Sequence, residues 1–364
     1  MRILLIGEYS NVHATLAKGL KELGHQVTVL SNGDFWKDYP RDIALDRIPT
    51  KWGGIKYLFR LLTILPKLRH YDVVQLINPM FLELKAKRIL PVYKYLRRHN
   101  GKVFLGAYGM DYYWVNTCCE NKPLRYSDFN IGDHLRTDEE ALREKQDWIG
   151  TDKERLNKSI AKDCDGIVAG LYEYWVCYHP FYKEKTTYIP YPIVLPDIHK
   201  FPNNDKLRLF IGINRERNNY KGTDIMLAAA EDVQRDYPEK IEIIKAESVP
   251  FKEYQFLMDQ CDAILDQLYS YTPAMNALLA MSKGIICIGG GEEESYDILG
   301  EKTLRPIINV EPSYESVYQE LEQLVLHPER IQELKRQSIE YVKRHHDYLK
   351  VAQQYLDVYK KQTG

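Results

Sequence analysis

Apolar and polar residues fall in blocks that alternate between two periods along the chain. Arg2–Ile6 is a near-continuous apolar run, as expected of a strand buried on both faces of a parallel sheet. Val12, Leu16, Leu20 and Leu23 then recur at helical spacing, with Ser10 or Asn11 placed to cap the helix and Gly24 to end it. Gln26–Leu30 supplies a second strand, and Val73–Ile77, Val103–Ala107, Gly166–Ala169 and Thr187–Ile189 supply others. Four prolines interrupt Ile189–Asp205, which reads as a linker. The pattern restarts with strands at Arg208–Ile213, Ile241–Ala246, Ala263–Asp266, Ile285–Ile288 and Pro306–Val310. Helices are predicted between them at Asp224–Asp236, Lys252–Gln260 and Pro273–Lys283, and two more run from Pro328 to about Lys361. Such alternation predicts an α/β fold of two Rossmann-like, doubly wound domains facing a cleft. The expected division is residues 1–190, a linker at 191–206, a second domain at 207–344, and a last helix at 345–364 crossing back to the first domain.

Composition agrees with two globular domains. The chain has 364 residues, 45% hydrophobic and 28% charged, which excludes disordered and coiled-coil classes. Lys and Arg number 50 against 51 Asp and Glu, so the basic excess of a nucleic-acid binder is missing. No apolar stretch approaches the ~18 residues of a spanning helix, and Met1–Ser10 is too short in its apolar part for a signal peptide. The six cysteines are scattered in apolar segments and read as reduced thiols, so a cytoplasmic location is expected.

Loops at the carboxyl ends of strands carry the candidate chemistry, because ligands bind there in open α/β sheets. Gly7–Asn11 lacks the G-x-G-x-x-G fingerprint and puts an acid where a pyrophosphate would sit, so Glu8 and Tyr9, with His13, are candidate acceptor contacts. In the second half, Arg215 and Lys221 precede Gly222 and a helix that Thr223 can cap, a natural site for a diphosphate. Tyr271 and Thr272 close another strand. Thr272 is suited to N-cap and Pro273 to the first turn, which would aim the N–H groups of Ala274, Met275 and Asn276 into the same crevice. Gly289–Gly290–Gly291 would let a ligand approach the backbone, and Glu292, Glu293 and Glu294 could hold sugar hydroxyls. Each piece alone also reads as a turn or a solvated charge; three on one edge point to a site.

These residues resemble a retaining glycosyltransferase of the GT-B fold, family-4 type. The resemblance is carried by the first strand–helix–strand, Gly109-Met110-Asp111, Ile189-Pro190, the Arg215…Lys221-Gly222 loop, and Leu278–Ile286, similar to the family's L-E-A-M-A-x-G-x-P. It implies transfer of a sugar from a nucleotide donor to a glycan or lipid-linked acceptor, with Arg215 and Lys221 gripping the departing diphosphate. It implies neither a metal nor a cofactor beyond the nucleotide sugar. Asp111 is the implied polar group of the first domain, with Tyr108, Tyr112, Tyr113 and Trp114 beside it; His134 is an auxiliary. Two departures stand out: of the two glutamates the family carries, one falls near Tyr271 and the other on Leu279, so neither carboxylate is present.

Asp163-Cys164-Asp165 and His345-His346-Asp347 read as structural junctions. The polar stretch Asn116–Asp152 reads as an acceptor loop or lid. Lys51–Arg69 and Lys85–Lys102 form basic amphipathic segments suited to peripheral contact with the inner face of a membrane. A nucleotide-sugar 2-epimerase and a non-catalytic nucleotide- or glycan-binding protein are the competing readings.

Overall fold

The computed structural model describes residues 1–196, 204–213, 218–247 and 249–361. In chain order it begins with β1 (Arg2–Ile6), α1 (Val12–Glu22), β2 (Gln26–Ser31), β3 (Ile43–Ala44), α2 (Lys51–Ile64), β4 (Val73–Leu76) and α3 (Ala86–His99). Next come β5 (Lys102–Ala107), α4 (Tyr112–Glu120), β6 (Asn130–Ile131), β7 (His134–Leu135), α5 (Glu139–Trp148), α6 (Asp152–Asp163), β8 (Gly166–Ala169), α7 (Tyr172–Tyr178) and β9 (Thr186–Tyr188). The second half runs β10 (Leu207–Ile213), α8 (Asn218–Lys221), α9 (Thr223–Asp236), β11 (Ile241–Glu247), α10 (Phe251–Met258), β12 (Ala263–Leu265) and α11 (Met275–Ser282). It closes with β13 (Ile286–Gly289), α12 (Glu293–Leu299), β14 (Ile308–Asn309), α13 (Tyr314–Leu326), α14 (Glu329–His345) and α15 (Tyr348–Lys361).

Contacts divide the chain into two units. The first holds Met1–Thr117, Glu144–Pro192 and Tyr348–Gly364, around a seven-stranded parallel sheet of order β3-β2-β1-β4-β5-β8-β9. β4 and β8 are buried throughout; β8 carries no polar side chain, and Gln75 is the one polar residue of β4. α15 packs against α1, and Gly19 permits the approach: a Cβ there would lie 2.7 Å from the Tyr348 carbonyl oxygen. Tyr359 rests on Phe104, ring centroids 4.8 Å apart, and its hydroxyl donates to Gln75 at 3.2 Å. The last helix therefore groups with the first unit.

The second unit holds Cys118–Arg143 and Ile193–Asp347, around a five-stranded parallel sheet of order β11-β10-β12-β13-β14. Its core gathers Leu209, Ile211, Met226, Val233, Leu265, Ile288 and Leu321. α14 is fixed to it by a buried ion pair, Lys335 Nζ to Asp262 Oδ1 at 2.6 Å. Residues 118–143, placed by sequence order inside the first domain, group instead with the second sheet.

Three local expectations are corrected. Asn11 takes the N-cap position of α1 but its side chain makes no capping hydrogen bond; the Glu8 carboxylate instead accepts from the N–H groups of His13 and Ala14. α9 starts after Gly222, whose φ of +71° takes the N-cap position assigned to Thr223. α11 starts at Met275 with Ala274 as N-cap, two residues later than Pro273 suggests. No disulfide joins any of the six cysteines, all buried. Among the described residues no helix is long and apolar enough to cross a membrane.

Candidate functional site

The carboxyl edge of the second sheet gathers most of the predicted donor residues. Arg215 lies outside the described residues. Lys221 ends α8, and its carbonyl accepts the Leu268 N–H at 3.1 Å, so the loop after β10 is tied to the loop after β12. Gly222 is required at that junction: its φ is positive, and a Cβ would lie 2.6 Å from that of Leu268. Asp266, just beyond β12, faces Lys221 and accepts the Ala274 N–H at the start of α11. Its Oδ2 is shut off from solvent with no hydrogen-bond partner among the described residues. Burial raises its pKa to about 6, against the lowering pull of Lys221 and that N–H. Asn276 donates to the Tyr254 hydroxyl at 2.8 Å, and burial pushes that phenol up to about 12.

Gly290, Gly291 and the three glutamates after β13 are otherwise engaged than the sequence suggests. A Cβ on Gly290 would lie 2.0 Å from the Ser270 carbonyl oxygen, and one on Gly291 2.7 Å from Ile307, so these glycines admit protein. Glu292 is buried and held by Arg125, by the Tyr126 hydroxyl and by Asn309 at 3.2 Å. Arg125 Nη1 also reaches Glu294 at 2.7 Å, while Glu293 pairs with Arg305 at 2.9 Å. Tyr271 is buried beneath this cluster. Its ring lies 4.9 Å from that of Tyr126 and 5.1 Å from the Arg125 guanidinium, and its hydroxyl accepts the Arg125 N–H at 2.7 Å. Thr272 is buried too, its carbonyl accepting from Ser270 Oγ at 2.6 Å.

Arg125, Tyr126 and Arg136 escaped sequence reasoning. Arg136 lies over the Tyr269 ring at 3.7 Å and the Tyr220 ring at 5.6 Å, donates to the Asn219 carbonyl at 2.9 Å, and pairs with Asp138 at 3.2 Å. It is a second cation on the α8 loop, delivered from a distant segment. The one available signal was the polarity of 116–152, which carries no periodicity to single out either arginine.

The first unit has its own concavity. A cavity of about 180 Å³ lies at the carboxyl ends of β1, β2 and β4, lined by Glu8, Tyr9, Ser31, Asn32, Tyr57 and Glu83 among apolar side chains. Burial raises Glu8 to about 8, opposed by the N–H groups of Ala14 and His13. His13 is buried with Nδ1 2.8 Å from the Gly7 carbonyl, so Nδ1 carries the proton; burial lowers its pKa to about 3. Asp111 is not directed into this cavity. It caps α4 through the Trp114 N–H at 2.9 Å, accepts the Tyr178 hydroxyl at 2.6 Å, and is raised by burial to about 6. Tyr108 is buried against Tyr355 and His13, and Tyr112 donates its N–H to Asn157 at 2.9 Å, so both serve packing. His134 is exposed on the short hairpin strand β7 of the second unit.

Asp165 forms a bidentate pair with Arg97, at 2.8 and 3.0 Å, and Asp163 accepts from Tyr93. His345 lies 2.7 Å from Glu301, which is held well below the usual carboxylate range in spite of its burial, by His345 and by the Leu304 and Thr303 N–H groups. Both junctions are structural.

No protein-family model matches the chain, and no curated protein matches it by sequence. Solved structures do match, over its whole length. HepE of Anabaena, in complex with UDP and glucose, superposes with a TM-score of 0.62 at 10% identity, covering 99% of this chain and 100% of that one. The fold is GT-B. Two other solved structures share the fold. WaaG, a glycosyltransferase involved in lipopolysaccharide biosynthesis, gives a TM-score of 0.52 at 13% identity, covering 98% and 99%. UDP-GlcNAc 2-epimerase from Neisseria meningitidis, bound to UDP-GlcNAc, gives 0.55 at 12% identity, covering 99% and 100%.

Proposed function

We propose that this chain is a retaining, metal-independent glycosyltransferase that takes a nucleoside-diphosphate sugar at the second sheet's carboxyl edge. The observation that carries the reading is the convergence of Lys221, Arg136 and the start of α11 on that one edge. HepE, solved with UDP and glucose, supports a uridine donor. As the bond from the anomeric carbon to the diphosphate breaks, negative charge grows on the leaving oxygen. Cations fixed beside it stabilise that charge without reorganisation, the usual largest contribution to such catalysis. Lys221 supplies one such charge, Arg215 is assigned another, and Arg136 adds a third through the α8 loop it braces. The acceptor, a glycan or lipid-linked sugar of surface polysaccharide or glycolipid assembly, is assigned to the first unit's cavity. Glu8 would accept its hydroxyl, and the apolar wall would take its ring or chain.

The epimerase-like relatives keep a second reading in view, and the engagement of Glu292–Glu294 by arginines keeps a third, binding without turnover. Incubation with UDP-glucose and no acceptor separates them. A transferase releases UDP and glucose slowly; an epimerase gives a second UDP-hexose; a binding protein leaves the donor intact. Recovery of either of the last two results would replace the proposal.

A further inference from the structure

α2 turns its apolar stripe outward. It buries Gly53, Tyr57, Leu61 and Ile64, yet Trp52 is 81% exposed, Phe59 69%, Ile55 61% and Leu62 57%. At 100° per residue these four fall on one stripe, bordered by Lys56 and Arg60 on one side and Lys51 on the other. Ile48 extends the patch: it is exposed, and its carbonyl lies against Gly53. Phe35 and Trp36 are exposed too, and Phe35 lines the same cavity as Tyr57 of α2. Scattered apolar residues on a surface need no explanation, but a contiguous patch of this kind marks an interaction site.

We propose that the outer face of α2, with Phe35, Trp36 and Ile48, docks the first unit on an anionic lipid bilayer. Charge selects that occupant. Between Asp46 and Asp72 the chain carries Arg47, Lys51, Lys56, Arg60, Lys67 and Arg69 and no acidic residue. Tryptophan and aliphatic side chains on one stripe, flanked by bases, are what a helix lying in the headgroup plane presents. The 14 residues of α2 extend about 21 Å, short of the ~30 Å hydrocarbon core, so the helix lies flat rather than spanning. The other basic segment differs. Of its charges, Lys87 pairs with Asp152 and Arg97 with Asp165, and α3 buries its apolar positions Ile89, Val92 and Leu96. Docking through α2 would place the cavity that Tyr57 and Phe35 line at the lipid surface, where a lipid-linked acceptor is presented. That consequence rests on the proposed transferase reading; the docking does not.

The test is sedimentation of the full chain with vesicles of phosphatidylcholine alone, or with about a third phosphatidylglycerol. Binding to the anionic vesicles, weakening as salt rises, is expected. The variant Trp52→Ser/Phe59→Ser should lower partitioning at least about tenfold, and Lys56→Glu/Arg60→Glu should abolish the preference for anionic lipid. All four side chains are exposed or border the exposed stripe, so unchanged thermal melting verifies the fold. Three results would overturn the proposal: no vesicle binding, binding indifferent to both variants, or a patch that proves to join two copies. The last would appear as a dimer mass that Trp52→Ser/Phe59→Ser converts to monomer without any effect on lipid.

Discussion

Asp266 and Lys221 sit at the carboxyl edge of the second sheet, and the carboxylate occupies an N–H at the start of α11 that an anionic ligand would otherwise use. Its raised pKa of about 6 comes from burial, so the protonated form is favoured in the folded chain over the usual carboxylate range near 4. Between those two values the folded state holds a proton that the unfolded state lacks, and this group's contribution to stability falls as pH rises through the window. Ligand binding follows the same sign. Protonation removes a negative charge from the proposed diphosphate site, so UDP-glucose should bind several-fold tighter at pH 5.5 than at pH 7.5. Asp266→Asn should bind tightly at both. Calorimetric titration at the two pH values checks this, and a wild-type affinity that rises with pH would contradict it. Nothing in a lone Asp after a strand announces this role, which depends on how far the neighbouring loops bury it.

At the scale of elements, residues 118–143 are the feature the sequence hid. Strands and long helices were legible because their apolar periods record burial: β1, β8, α1 and the pair α14–α15 lie where periodicity puts them. Caps were less so. Thr272-Pro273 has the chemistry of a helix start, but the Ser270–Thr272 turn delays α11 until Met275. The insertion follows no period at all, and its contacts lie far away in sequence: Arg125 meets Glu292 and Glu294, and Arg136 meets Tyr220 and Tyr269. The glutamates expected to face a sugar are thereby engaged by protein. Arg125→Ala should release the segment, with faster proteolysis between 118 and 143. The loss in stability should be only about 1–2 kcal/mol, because the guanidinium is 58% exposed and the pair is screened. Limited proteolysis with and without UDP reads it, and an unchanged cleavage pattern would show that the ion pairs do not hold the segment.

The whole molecule was legible in kind: two parallel sheets from two runs of alternating elements. Its chemistry was legible only by edge, not by residue. Sheet topology fixes where ligands bind, whereas the groups that face a ligand there are set by loop packing. The departures at Tyr271 and Leu279 show this best, since Tyr271 is a buried platform for Arg125 and no substitute for a carboxylate. The proposed function requires the second unit's edge to be a nucleoside-diphosphate site. Titration of UDP into the chain, with EDTA present, tests that most directly. Saturable binding is predicted, weakened about tenfold or more by Lys221→Ala and by Arg136→Ala, each a loss of about 1.4 kcal/mol or more. Absence of binding, or affinity that neither substitution changes, would contradict it.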